Sequence, residues 1–296
     1  MHATRLFKAV LIQIMLCASI GAMAATAPRI FPTPEAAADA LVDSIATHDD
    51  DALSVILGSN YRTFIPTGGI APEDITRFLA AWAQAHEIVQ VDEHKALLSA
   101  GTAGWTLPVP IVHGKAGWYF DTKAGADEMR TRAIGRNELA AIQATLAYAD
   151  AQHDYWNWSQ AQGQAAYAQK LLSTPGKKDG LYWPTQPGED PCPLGPRFAD
   201  AKAGEPYHGY RFRILTAQGD AAAGGARNYI KDGRMVDGFA LIAWPASYGK
   251  TSIMSFMVNQ DGVVYEANLG SATDRLARGI RTFNPGEGWS ELKNNP

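Results

Sequence analysis

From Arg136 to Trp156 the chain holds its longest helical pattern, with no glycine or proline inside it. Leu139, Ile142, Leu146, Ala149, His153 and Trp156 recur at alternating three- and four-residue steps. That repeat is one seam of an amphipathic helix about six turns long. Arg136, Glu138, Gln143, Asp150 and Asp154 lie off the seam, so only one side of the helix can be buried in water. A helix of this kind demands a matching apolar surface, and the sequence offers one downstream.

Between helix and surface runs a loop rich in Pro and Gly, from Ser173 to Pro206. It is too long for an ordinary connection, and Leu181, Tyr182, Trp183 and Phe198 are expected to pack it on the body. Strand signals follow. Tyr207–Leu215 alternates, with Tyr210, Phe212 and Ile214 on one face and Arg211 and Arg213 on the other. Asp232-Gly233-Arg234 predicts a hairpin between segments 228–231 and 235–244, and Asn259-Gln260-Asp261-Gly262 a second between 252–258 and 263–267. Thr273–Arg281 closes the chain as a helix. Leu241 and Ala243, with Phe256 and Val258 beside them, are the face on which the long helix should lie.

The N-terminal half has a different rhythm. An extended leader, Pro28–Pro34, precedes a helix over Glu35–Thr47 that carries Ala38, Leu41, Val42 and Ile45 on one side. Asp49, Asp50 and Asp51 read as the cap of a short second helix; with no further spaced ligands they do not read as a cation site. Pro72-Glu73-Asp74 starts another helix, with Ile75, Phe78, Leu79 and Trp82 as its stripe. Strands are expected at Trp105–Val112 and Gly117–Phe120. Gly135 marks the change of character. The fold class is therefore α+β, with a small helical/β unit at 31–134 and, at 135–290, a long helix packed on an antiparallel meander sheet.

Residues 1–24 have the form of an export signal: Arg5 and Lys8, an apolar stretch from Ala9 to Ile20, and the small-x-small site Ala22-Met23-Ala24. Cleavage near Ala24 would place the mature chain in the periplasm or outside the cell. The apolar stretch is too short to span a bilayer, and no later one approaches the roughly 20 residues required. Cleavage removes Arg5 and Lys8, so the 26 basic residues fall to 24 against 30 acidic, a formal charge of −6. Without a basic patch, nucleic acid and anionic lipid are poor partners. Of the two cysteines, Cys17 leaves with the signal and Cys192 remains alone, so the fold has no intrachain disulfide. Cys192 stands between two prolines and is open to burial, to exposure as a reactive thiol, or to pairing between chains; it is expected to be dispensable.

Familiar catalytic patterns fail on inspection. Ser247-Tyr248-Gly249-Lys250 fits S-x-x-K, but follows a strand and Pro245 and lacks its companion motifs. Gly249-Lys250-Thr251 echoes the end of a P-loop, yet Trp244 stands where that loop needs glycine. No G-x-S-x-G, H-E-x-x-H or C-x-x-C occurs, and the histidines of the mature chain make no i,i+4 metal face. His208 is the one candidate base, with Asp232, Asp237 and Asp261 in neighbouring turns as acids; fixing the long loop is its simpler role. Asp179, Glu189, Asp190 and Asp261 are turn-forming acids that offer at best a calcium site. Tyr155, Trp156 and Trp158 suggest a sugar platform, or packing of the helix and loop.

Five blocks carry a resemblance: Gly135–Ile142, Asp179–Pro184, Pro206–Tyr210, Gly238–Pro245 and Val258–Tyr265. In that order they are similar to the bacterial domain-of-unknown-function family 2950, over about Phe31 to Trp289. That resemblance implies no activity. Glu138–Leu172 more loosely resembles the helix-to-loop region of type IV pilin and pseudopilin globular domains, implying a pilin-like second domain. Those proteins begin with their helix in the membrane, whereas here a whole domain precedes it, so fibre assembly through that segment is not implied. The first unit faintly resembles nuclear-transport-factor-2-like and cystatin-like modules.

The leading expectation is a non-enzymatic exported protein, a structural, assembly or binding factor of the envelope. It needs no cofactor or metal, and its partner would be an envelope or secretion-system protein. One alternative is an envelope-polymer hydrolase using His208 with a nearby acid. Another is a small-ligand binder whose first unit forms a cup lined by Trp82, Trp105 and Trp118.

Overall fold

The computed structural model describes residues 26–65, 70–186, 188–189, 191–195, 202 and 204–293. The export signal read at 1–24, Phe198 and Asp190 lie outside them. The chain divides into two compact units, one ending at Ala126 and the other starting at Asp127.

In the first unit α1 (Pro34–Ala46) starts where proline suits a helical first position and Thr33 Oγ1 accepts the Ala36 amide at 3.2 Å. It buries Ala37, Ala38, Leu41 and Val42. α2 (Asp50–Leu57) is capped by Asp49, whose carboxylate accepts the Ala52 amide at 2.9 Å, so the acidic run begins with a helix cap. α3 (Tyr61–Phe64) is a single turn, and α4 (Pro72–Gln84) carries its expected stripe without fully burying any residue. Four strands follow, β1 (His86–Asp92), β2 (Lys95–Ala100), β3 (Ile111–Gly114) and β4 (Gly117–Phe120), in one antiparallel sheet of that order. The strand expected at Trp105–Val112 is largely absent. Thr106 forms an isolated bridge to Ser99, and regular pairing resumes at Ile111. Instead β1 and β2 pair from His86↔Ala100 to Asp92↔Lys95. β1 is an edge strand whose charged and exposed side chains hide the alternation that identifies strands.

Gly117 is required by a close approach. Phe31 and Trp118 exchange backbone hydrogen bonds of 2.7 and 2.9 Å, and a Cβ on Gly117, at φ +134°, would stand 2.7 Å from the Phe31 carbonyl oxygen. Gly117→Ala is expected to destabilise this unit by about 2–4 kcal/mol, from strain and the lost bonds. A urea midpoint equal to the parent's would show that Phe31 steps aside without cost.

α5 (Thr122–Ala161) begins at Asp121, whose Oδ1 accepts the Ala124 amide at 2.9 Å. It runs through Gly135, where a new start was expected; one glycine costs a helix about 1 kcal/mol and does not end it. The expected seam is met in part: Ile142 and Ala149 are buried and Leu146 packs against the core, but the buried stripe is broader than expected. Leu139 is 43% exposed and His153 faces solvent, while Ala141, Thr145, Tyr148, Gln152, Tyr155 and Ser159 are buried, with Ile142 and Ala149 beside them. The polar members of this seam have partners. Gln152 Oε1 accepts the Ala168 amide and its Nε2 donates to the Ala168 carbonyl, both at 2.8 Å. Ser159 Oγ donates to the Ala166 carbonyl at 2.7 Å and accepts its amide at 3.1 Å. Segment 166–168 thus folds back on the helix, held by side chains that stand in for a partner strand. The long loop is packed as expected by Leu181 and Trp183, joined by Cys192 and Leu194.

The sheet is a meander. β5 (Tyr210–Leu215) is separated from its neighbour by two small hairpins, β6 (Ala217–Gln218) with β7 (Arg227–Asn228), and β8 (Ile230–Lys231) with β9 (Arg234–Met235). Asp232 and Gly233, at φ 49° and 75°, turn the second hairpin as the sequence predicts. Then come β10 (Ala240–Pro245), β11 (Ser255–Asn259), β12 (Tyr265–Ala267), α6 (Thr273–Gly279) and β13 (Ser290–Glu291). The sheet order is β5-β10-β11-β12-β13, all antiparallel, with β5 at one edge. Register places Phe212, Ala243 and Phe256 on one face with Ile214, Leu241 and Val258. Arg211, Arg213, Ile242, Trp244 and Met257 lie on the other, under α6: Arg213 donates to the Ala277 carbonyl at 2.8 Å and Trp244 Nε1 to Asp274 at 3.0 Å. Among the described residues no helix is long and apolar enough to cross a membrane.

Candidate functional site

The structure disperses the residues that sequence grouped as catalytic. His208 is exposed at φ 46°, its ring against Tyr207 at 4.3 Å, just before Tyr210 at the Pro245 end of β10. Asp261 follows Asn259, which pairs with Ala240 at the other end, and Asp237 immediately precedes that end. Asp232 turns a hairpin that follows Tyr229, itself bonded to Thr216 on the same side. The length of β10, roughly 17 Å, separates His208 from these acids. Asp237 is instead paired with Lys231 at 2.5 Å, and Asp261 accepts from Asn259 at 2.9 Å.

The other candidates are equally scattered. Ser247–Thr251 is a turn closed by the Thr251 amide on the Ser247 carbonyl at 2.9 Å. Tyr155 spends its hydroxyl on the Lys178 carbonyl, Trp156 packs on Tyr167 at 4.5 Å, and Trp158 lies between Tyr155 and Trp183. Trp82 stacks on His86, Trp105 meets Phe78 and Trp118 meets His113, each indole on its own ring partner. Cys192 is buried and free. Asp179 and Asp261 serve separate loops, and no group of three metal-ligating side chains occurs among the described residues.

What the fold does assemble lies along β5. One end of that strand is anchored by Glu138, whose Oε1 accepts from Ser252 Oγ at 2.9 Å and from the Ile253 and Met254 amides at 3.0 Å. Beside it Asn137 Nδ2 donates to the Thr251 carbonyl at 2.8 Å, and Gly209, at φ +76°, leaves room for that amide. Tyr210 donates its hydroxyl to the Met254 carbonyl at 2.8 Å and contacts Ser252 Oγ. Burial pushes the Tyr210 phenol well above its usual range, so it stays a neutral donor.

A groove of about 600 Å³ opens along the outer edge of β5. Tyr148, Leu171, Phe212, Ile214 and Leu241 give it an apolar floor. Among the described residues Lys170, Lys202, Arg211, Arg213 and Arg278 surround it, against one carboxylate, Glu205. Arg278 is neutralised by Asp274 and Lys170 by Asp179, each at 2.8 Å. Lys202, Arg211 and Arg213 make no ion pair with a described carboxylate. Arg211 donates to the Gly204 carbonyl at 3.0 Å, and Arg213 caps the last carbonyls of α6. Burial, then the nearby Arg281 and Arg278, pull Arg213 below its ordinary value. On a chain of net charge −4 this groove is a local reversal of sign.

Asp179 holds the wall that carries Lys170. It accepts from Lys170 Nζ at 2.8 Å and from the Thr174 amide at 2.7 Å, and these bonds, Lys170 first, hold it well below the usual carboxylate range. A depressed folded value makes the contribution complete above the unfolded pKa of about 3.9 and lost as pH falls from there toward the folded value. The Thr174 amide is therefore expected to exchange faster as pH drops through that window, once intrinsic rates are corrected. Asp179→Asn should show the loosened wall already at neutral pH; a Thr174 amide equally protected in both proteins would refute this.

Sequence reasoning saw Arg211 and Arg213 on one strand face but not the groove. Its other cations are dispersed along the chain, and the only local signal was arginine alternating with apolar residues in one strand.

Fold and site define a two-unit α+β protein with a cationic, apolar-floored groove at a sheet edge. The chain belongs to the protein family of unknown function DUF2950, whose pattern it matches over residues 28–292. No curated protein and no solved structure matches it. Two blocks that carry the family resemblance, Gly135–Ile142 and Pro206–Tyr210, supply the Asn137, Glu138, Gly209 and Tyr210 of the anchor.

Proposed function

We propose that this protein is exported to the periplasm and acts there as a binding factor of the cell envelope, without catalysis of its own. Its groove along β5 takes a partner that is anionic and partly apolar, supplied by an envelope or secretion-system protein. The observation that carries this reading is the gathering of Lys202, Arg211 and Arg213, none in an ion pair with a described carboxylate, around an apolar floor. Opposite charge steers such a partner in and apolar contact retains it. Export is supported by the basic, apolar and small-x-small order of residues 1–24. A pilin-like reading of the second unit is supported by its long helix, packed loop and meander, a likeness of architecture that assigns no role by itself.

The test uses anilinonaphthalene sulfonate, an anionic fluorophore with an apolar body. The mature protein is expected to enhance its fluorescence saturably, less so at high salt. Arg211→Glu and Lys202→Glu should each weaken that binding with the circular dichroism unchanged. Equal binding by the parent and both variants would overturn the groove assignment.

A further inference from the structure

Among the described residues the outer edge of β5 is closed at both ends and open between them. Tyr210 exchanges backbone hydrogen bonds of 2.8 and 3.0 Å with Tyr207, on the side away from β10. Opposite Tyr210 in the sheet stands Pro245, which has no N–H to give. Gly209 points the other way, its carbonyl accepting the Ala246 amide at 2.8 Å. Strand groups alternate in direction, so Tyr210, Phe212, Ile214 and Thr216 all aim their N–H and C=O outward. The Thr216 carbonyl is taken by the Tyr229 amide at 2.9 Å. Those of Phe212 and Ile214 have no backbone partner among the described residues. An open edge of this kind is a template for another strand.

The side chains around that opening differ by face. Phe212 and Ile214 point to the side of Leu241, where Leu171 and Tyr148 complete an apolar wall. Arg211 and Arg213 point to the opposite side, with Arg278 nearby. A strand laid along β5 would present its own side chains alternately to these two walls.

We propose that the groove seats an extended peptide, apolar and acidic by turns, which pairs with Phe212 and Ile214 as an added strand of the sheet. The inference rests on the reading of the groove as a binding site and names its occupant. Apolar residues of the peptide meet Phe212 and Ile214, and its carboxylates meet Arg211 and Arg213. The outward edge from Tyr210 to Thr216 measures about 20 Å, so about four or five peptide residues fit between the closed ends. Backbone pairing supplies affinity and the alternating walls supply selectivity. An anionic acyl chain would satisfy the floor and the arginines but leave the outward amides of Phe212 and Ile214 unpaired, which is why a peptide is favoured.

The experiment uses the mature full-length protein and a capped peptide alternating valine and glutamate. In the free protein the Phe212 and Ile214 amides should exchange rapidly, and the peptide should protect both. N-methylation of the peptide at every second residue should weaken binding about tenfold or more in one parity and leave it nearly unchanged in the other, because only one parity faces β5. A peptide alternating valine and lysine should not bind. Slow exchange of both amides in the free protein, or equal binding by the two N-methylated isomers, would overturn the strand pairing. Binding of anilinonaphthalene sulfonate or decanoate without the peptide would leave the groove standing and remove its proposed occupant. Failure of all three ligands would remove both.

Discussion

Gln152→Leu is expected to destabilise the second unit by about 2–6 kcal/mol, although leucine fills nearly the same volume and suits a helix better. Gln152 is fully buried and satisfies both backbone groups of Ala168, which is itself buried. Its Nε2 also donates to Tyr148 Oη at 2.9 Å. Leucine leaves the Ala168 N–H and C=O without partners in the core, and each costs about 1–3 kcal/mol. Gln143→Ala, on the exposed side of the same helix, should change stability by less than about 0.5 kcal/mol. Urea unfolding of the two variants decides the matter. If both tolerate their substitutions alike, segment 166–168 does not depend on the helix for its hydrogen bonds.

Glu138→Ala should cost about 3–5 kcal/mol, since one carboxylate oxygen holds Ser252 Oγ and two consecutive amides. Glu138→Gln keeps an acceptor in place and should cost only about 1–2 kcal/mol. The loss should be local as well as global. Amides of 251–254 are expected to lose hydrogen-exchange protection first, and Tyr210 should loosen with them through its bond to the Met254 carbonyl. A Glu138→Ala protein with parental protection at 251–254 would show that the carboxylate is incidental to this loop.

These two positions also mark where sequence reasoning succeeded and where it slipped. The long helix, the two hairpin turns and the face of Leu241, Ala243, Phe256 and Val258 were legible because apolar periodicity and turn chemistry are local signals. The buried stripe is wider than the expected seam: Ile142 and Ala149 are buried and Leu146 packs on the core as expected, but Ala141, Thr145, Tyr148 and Gln152 join them while Leu139 and His153 are exposed. The extra width was hidden because Thr145, Gln152 and Ser159 are polar by type and buried by circumstance, the partners of Gln152 and Ser159 lying in a segment with no periodicity of its own. β1 was missed for the converse reason: an exposed edge strand with His86, Glu87 and Asp92 displays no buried face to recognise. The groove was illegible as a whole. Lys170, Arg211 and Arg278 become neighbours only when the loop, the edge strand and α6 meet.

The two side-chain anchors on α5 also differ in how far they reach along the chain, and this orders their formation in time. Gln152 and Ala168 are 16 residues apart, whereas Glu138 and Ser252 are 114 apart. Closing the longer loop costs about 1.7 kcal/mol more chain entropy, so the first contact is expected to form earlier than the second. Contacts made after the folding barrier govern how fast a native molecule opens, and those made before it govern how fast it arrives. On that order Glu138 is expected to act as the latch that sets the lifetime of the finished second unit, and a chain caught before that latch engages would carry β5 with its anchored end adrift.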